Sequence, residues 1–153
     1  MCIWDTAGQE KFRALSRNFY FGSHGVIMCF DLTKEITEEE ILDWHEEVTN
    51  NIDKSCCKII VGTKSDLADA EGHASKKLAQ IAEKLDLRYL ETSSMTGKNI
   101  VEIFDIIVME VERRQAVFRN GPEGSFLYQE RNSMSLSVVG NQHYDESKSG
   151  KCC

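Results

Sequence analysis

Three short polar stretches and a terminal pair of cysteines carry most of the chemical capacity of this chain. Asp5, Gly8 and Gln9 stand in Trp4-Asp5-Thr6-Ala7-Gly8-Gln9-Glu10. An Asp-x-x-Gly turn followed by glutamine is the arrangement with which a nucleotide switch senses a terminal phosphate. Thr63-Lys64-Ser65-Asp66 and Glu91-Thr92-Ser93-Ser94-Met95 lie at the ends of apolar runs, and Cys152-Cys153 are the last two residues. In open α/β sheets ligands bind beyond the carboxyl ends of the strands, so polar residues that follow apolar runs are where a site is expected.

The other cysteines, Cys2, Cys29 and Cys56-Cys57, form no C-x-x-C ladder for zinc. In a reducing compartment most of the six stay free thiols, and Cys29, inside an apolar run, reads as a small buried hydrophobe. With 153 residues, 41% hydrophobic and 28% charged, one soluble core is expected. The 18 lysines and arginines against 25 acids give a net charge of -7, which argues against non-specific nucleic-acid binding. No run reaches the ~18 apolar residues of a spanning helix, and no basic segment precedes an apolar stretch at the start, so a cytosolic location is the expectation.

The elements that would position these residues alternate. Gly25 to Leu32 is a continuous apolar run, as in a strand buried on both faces of a parallel sheet. Thr37 with Glu40 forms a capping box, and Ile41, Trp44, Val48 and Ile52 follow at helical spacing. Lys58 to Gly62 is a second buried strand, Leu78, Ile81, Ala82 and Leu85 mark a second helix, and Tyr89 to Thr92 is a third strand. Asn99 with Glu102 starts another helix, whose stripe Ile100, Ile103, Phe104, Ile107 and Val111 ends near Arg113-Arg114. Such alternation predicts a parallel α/β sheet. From about Arg119 the periodicity stops, and the serines, asparagines and glycines that follow predict a flexible tail whose charges cancel, so it is no polybasic membrane patch.

Taken together, Trp4 to Glu10, Lys11-Phe12-Arg13, Asn18 to Gly22, Thr63 to Asp66, Glu91 to Met95 and the final cysteines resemble the small GTPases, and within them the Rab family. The resemblance covers residues 1–118 and the last two. It implies a P-loop NTPase-like small GTPase fold: a partial G domain over 1–118 and a hypervariable tail over 119–153.

By that resemblance the cofactors are GTP or GDP and Mg²⁺. Asp5 would hold Mg²⁺ through water, the Gly8 N–H would approach the γ-phosphate because glycine lacks a Cβ, and Gln9 would orient the attacking water. Asp66 would accept from N1–H and the exocyclic amine of guanine, Lys64 would lie along the ring, and the Thr63 hydroxyl would donate to a purine nitrogen. Ser93, Ser94 and Met95 would supply backbone N–H groups to the guanine oxygen. The family more often has asparagine at the place of Thr63, and Ser-Ala-Lys at 93–95. Cys152 and Cys153 resemble the acceptors of two geranylgeranyl groups, since two lipid chains anchor stably where one does not.

The implied partners are effectors, an exchange factor, a GTPase-activating protein, an escort protein, a GDP-dissociation inhibitor and the cytosolic face of an endomembrane, with no nucleic acid. Trp4, Phe12, Leu15, Phe19 and Tyr20 read equally as the family's partner surface or as core aromatics.

No G-x-x-x-x-G-K-S/T loop occurs in the 153 residues. In the family that loop, its strand and the first switch precede the stretch matched here. The absence predicts unpaired edges on the strands flanking the missing one and a partly exposed Ile103-Phe104-Ile107-Val111 stripe. Two readings follow: a piece of a longer GTPase or an incomplete gene model, or a short prenylated interaction protein unable to bind nucleotide.

Overall fold

A computed structural model describes residues 2–6, 20, 22–120 and 135–140. The elements in chain order are β1 (Cys2–Thr6), β2 (Gly25–Asp31), α1 (Glu38–Asn51), β3 (Cys57–Thr63), α2 (His73–Lys84), β4 (Arg88–Glu91), α3 (Ile100–Asn120) and β5 (Ser135–Gly140). Five strands form one sheet in the order β1-β5-β2-β3-β4, and every pairing is parallel. The expected parallel α/β fold is present, with the expected elements near the places read from the sequence, except that α3 runs past Arg114 to Asn120.

Strand periodicity divides the core. Val26, Met28 and Phe30 face α1 and α2 and pack with Ile41, Trp44, Val48, Ile60, Leu78 and Ile81. Ile27, Ile59 and Val61 point the other way, toward Ile103, Ile107 and Val111 of α3. The sheet is therefore covered on both faces at β2 and β3, as buried parallel strands require, whereas Cys2 to Asp5 of the edge strand β1 are exposed. Helix α1 begins on the expected capping box: Thr37 Oγ1 accepts from the Glu40 N–H at 3.2 Å while Glu40 Oε2 accepts from the Thr37 N–H at 3.5 Å. Helix α3 begins differently. Asn99 sits at φ +55° and its side-chain amide donates to the Glu91 carbonyl at 2.8 Å, so it ties the helix start to the end of β4 rather than capping α3 with Glu102.

The expectation of a flexible tail from Arg119 does not hold for two parts of it. Helix α3 runs on to Asn120, and Ser135–Gly140 is a strand inside the sheet. Cys2 to Thr6 pair with Ser135 to Val139 on one side, and Leu136 to Gly140 pair with Gly25 to Cys29 on the other. The inner edges of β1 and β2, expected to be unpaired, are thus both occupied. Leu136 is fully buried against the stripe of α3, so Ile103, Ile107 and Val111 are at most 5% exposed and Phe104 packs beside them, correcting the expected exposure.

The seat for β5 is specific. A Cβ on Gly25 would lie 2.8 Å from Leu136 Cδ2 and 2.9 Å from Ile107 Cδ1, so a larger residue would have to push both side chains aside where β5 and α3 meet. On the opposite face Ser137 is buried with its hydroxyl 2.8 Å from that of Ser23. At the strand's start the Ser135 N–H donates to His24 Nδ1 at 3.2 Å and the Ser135 carbonyl accepts from the His24 N–H at 2.8 Å. No described helix is long and apolar enough to cross a membrane.

Candidate functional site

Because every strand runs the same way, the carboxyl ends of β2, β3 and β4 share one edge, and the polar residues singled out in sequence gather there. Asp31 ends β2 and is almost fully buried. Its Oδ1 accepts from the Thr33 N–H at 3.0 Å and the Thr33 hydroxyl at 2.7 Å, and its Oδ2 meets Lys64 Nζ at 2.7 Å. Burial pushes the Asp31 carboxyl up, but the hydrogen bonds from Lys64 and Thr33 outweigh it and hold the group below the ordinary aspartate value. Lys64 takes the left-handed conformation at φ +58°, and its ammonium is turned back onto Asp31 while half of the side chain stays open to solvent. Sequence reasoning did not single out Asp31, although a carboxylate closing an apolar strand was signal enough to find it.

Asp66 lies two residues farther on and is exposed. Ser93, buried in the β4 turn, donates its hydroxyl to Asp66 Oδ1 at 2.5 Å and accepts from the Thr96 N–H at 3.2 Å. The two turns are also laced by backbone: the Ser65 N–H reaches the Thr92 carbonyl at 3.0 Å, and the Thr92 N–H reaches the Gly62 carbonyl at 2.7 Å. One carboxylate oxygen is thus fixed from behind, and the group faces outward. A fixed carboxylate is an acceptor only, suited to two neighbouring N–H donors on a planar ligand.

The other expected base contacts are placed as follows. The Thr63 hydroxyl donates to the Phe30 carbonyl at 3.1 Å, across to the end of β2. The Ser93 N–H is spent on the Lys98 carbonyl at 3.2 Å. Ser94 and Met95 are exposed, and their N–H groups make no hydrogen bond among the described residues, which leaves both available to a ligand carbonyl. Ser65 Oγ is buried without a partner among the described residues, a second polar group at this edge that sequence reasoning passed over. Glu91 below the turn is held under the ordinary glutamate value by the Ser75 hydroxyl first, then, against burial, by Lys98.

Asp5 stands apart. Register puts it level with Val138 and through it Ile27, four residues short of Asp31 and three strands from β3. At about 4.8 Å between strands that is ~14 Å across the sheet from the Asp66 turn. Its charge acts on Cys29, whose thiol burial first and Asp5 second push up to about 12. No group of three metal-ligating side chains occurs among the described residues. A single exposed carboxylate suits Mg²⁺ only where waters and ligand phosphates complete the shell. Gly8, Gln9, Cys152 and Cys153 lie outside the described residues, as do Phe12, Leu15 and Phe19. Of the two described aromatics in the expected partner surface, Trp4 is exposed and Tyr20 is buried in the core, so Tyr20 does not belong to that surface.

The Ras family profile matches residues 1–113. Ras-related protein RABA5b of Arabidopsis thaliana is 31% identical over 153 residues, 99% of this chain and 70% of that protein. Ras-related protein RabG2 of Dictyostelium discoideum is 35% identical over 111 residues, and Ras-related protein RABA4b of Arabidopsis thaliana is 38% identical over 109. The matched stretch spans 56% of RabG2 and 49% of RABA4b, about half the length of each.

Proposed function

We propose that this chain, which belongs to the Ras family and within it to the Rab group, acts as a guanine-nucleotide switch in vesicle-mediated membrane traffic. The observation that carries the reading is the Asp66 carboxylate, fixed by Ser93 and facing outward beside the open N–H groups of Ser94 and Met95. Guanine presents two adjacent donors and one carbonyl on the same ring edge, the complement of that arrangement, whereas adenine presents neither the N1–H nor the carbonyl. Lys64, held by Asp31, would lay its aliphatic stem along the ring.

In this reading Asp5 holds Mg²⁺ through water and Gly8 and Gln9 serve the γ-phosphate and the attacking water. Cys152 and Cys153 accept geranylgeranyl groups, and the general kinds of partner are regulators, effectors and the cytosolic face of an endomembrane. Residues 1–118 act as the G-domain portion. The tail over 119–153 lends Ser135–Gly140 to the sheet.

The test is retention of fluorescent GDP by the purified chain with Mg²⁺, competed by GTP and by ATP. Displacement by GTP alone supports the reading, and no retention contradicts it. A second reading, a prenylated interaction protein without nucleotide chemistry, is favoured by one observation: no G-x-x-x-x-G-K-S/T loop stands in the 153 residues. Prenylation with no guanine-nucleotide retention would select it.

A further inference from the structure

A second concave site lies at the amino edge of the sheet, opposite the edge that carries Asp31 and Asp66. Strands β3 and β4 begin there, at Cys57 and Arg88, and helix α2 ends there at Lys84. Helix α3 joins them, since Arg114 donates to the Cys56 carbonyl at 3.2 Å. Between these elements is a cavity of about 410 Å³, within the size range of small-molecule sites. Arg88 lies level with Ile59, which packs toward α3, so the Arg88 side chain stands on the α3 face of the sheet. Glu110, Arg113 and Arg114 line the cavity from α3, and Cys57 lines it from β3.

The charges of the lining are only partly spent on one another. Glu110 takes up Arg113 at 2.6 Å and Arg114 at 3.0 Å. Hydrogen bonding from Arg113 first holds its carboxyl down at about 2, so it stays ionised and fixes both guanidiniums. Burial pushes the Cys57 thiol up to about 11; Arg114, Arg88 and Arg113 pull against it and Glu110 adds to it, so all four charges surround one buried residue. Arg88 is exposed, and its guanidinium makes no hydrogen bond or ion pair among the described residues. The exposed carboxylates of Glu83 and Asp86, which line the cavity from the α2–β4 turn, make none either. The two neighbouring lysines are turned elsewhere: Lys58 donates to Thr49 at 2.9 Å, and Lys84 to Glu38 at 2.9 Å.

A guanidinium binds the paired oxygens of a carboxylate or phosphate, and a carboxylate binds an ammonium. A ligand with only negative groups would meet Glu83 and Asp86, and one with only positive groups would meet the three arginines. A molecule carrying one group of each sign satisfies the whole lining. We propose that this cavity binds a small zwitterion, its oxyanion held by Arg88 with Arg113 and Arg114 and its ammonium held by Asp86 and Glu83. The cavity neither overlaps nor requires a nucleotide at the opposite edge.

The test is titration of the full chain with O-phosphoethanolamine, and with inorganic phosphate and ethanolamine as its separate halves, read by amide chemical shifts. O-phosphoethanolamine should give saturable shifts at Cys57–Ile59, Asp86–Arg88 and Glu110–Arg114, and each half should bind at least about tenfold more weakly. Arg88→Gln should weaken the zwitterion by about tenfold or more. The double variant Glu83→Gln, Asp86→Asn should bring inorganic phosphate level with it. All three substitutions fall on exposed side chains, and unchanged shifts outside the three segments show that the variants fold. A second arm uses nanodiscs with phosphatidylethanolamine: shifts at the three segments from the soluble probe assign a free ligand, and from the nanodiscs alone a lipid headgroup. Equal binding of inorganic phosphate and O-phosphoethanolamine by the wild type, shifts elsewhere, an Arg88→Gln titration like that of the wild type, or no response in either arm would overturn the proposal.

Discussion

The hydroxyls of Ser23 and Ser137 meet 2.8 Å apart in the interior although 114 residues separate them in sequence. The contact joins the lead-in to β2 to the middle of β5, and it lets a polar residue face the core at the centre of a sheet. Polar groups buried together depend on one another. Ser23→Ala, Ser137→Ala and the double variant should be non-additive in urea unfolding, with a coupling of about 0.5–3 kcal/mol; additive losses would show that the pair is not coupled.

The strand's other face makes a larger prediction. Leu136 is fully buried between Gly25 and Ile107, so Leu136→Ala should cost ~2–5 kcal/mol through lost burial and the cavity left behind. Gly25→Ala should cost about 1–3 kcal/mol by overpacking, because its Cβ has no room. Equilibrium unfolding of both variants checks this, and a neutral Leu136→Ala would mean that β5 is dispensable.

Acid should weaken the junction between α3 and β3. Glu110 bonds Arg113 at 2.6 Å and Arg114 at 3.0 Å, and Arg114 also donates to the Cys56 carbonyl at 3.2 Å. Hydrogen bonding from Arg113 first, with that from Arg114 and their charges, outweighs burial and holds Glu110 down at about 2, against an ordinary 4.5. A carboxylate depressed in the folded state stabilises above its unfolded pKa, and that stability is lost as pH falls through the folded value. The wild-type chain should therefore lose stability between about pH 4.5 and about pH 2 more steeply than Glu110→Gln. Parallel urea midpoints across that window read the difference directly.

Asp66→Asn should change the base preferred rather than abolish binding. The carboxylate accepts only, while an amide also donates, so guanosine loses an acceptor and a base with a carbonyl at that position gains a donor. Loss of hydrogen bonding to a charged group at ~1.5–3 kcal/mol corresponds to a tenfold or greater drop for guanosine, with xanthosine favoured instead. Competition between the two nucleosides measures it.

The α/β alternation, the capping box on α1 and the two polar turns were legible because each is local: helical spacing, strand runs and a Thr-x-x-Glu box need no partner to be read. Strand β5 was not legible. Ser135 to Gly140 alternates weakly, lies among serines and asparagines, and becomes a strand because distant residues, Gly25, Ser23 and Ile107, shape a seat for it. The same holds at the site. Asp66 and Ser93 were singled out from local motifs, but the hydrogen bond of the Thr63 hydroxyl to Phe30 and the clamp of Asp31 on Lys64 depend on strands meeting in space.

The most direct test of the guanine-recognising edge separates it from phosphate binding by using nucleosides. Amide chemical shifts of the full chain are followed during titration with guanosine and, separately, adenosine. The account predicts guanosine-dependent shifts confined to Thr63–Leu67 and Ser93–Thr96, with none from adenosine. Equal responses to both nucleosides, or no response at those two turns, would contradict it.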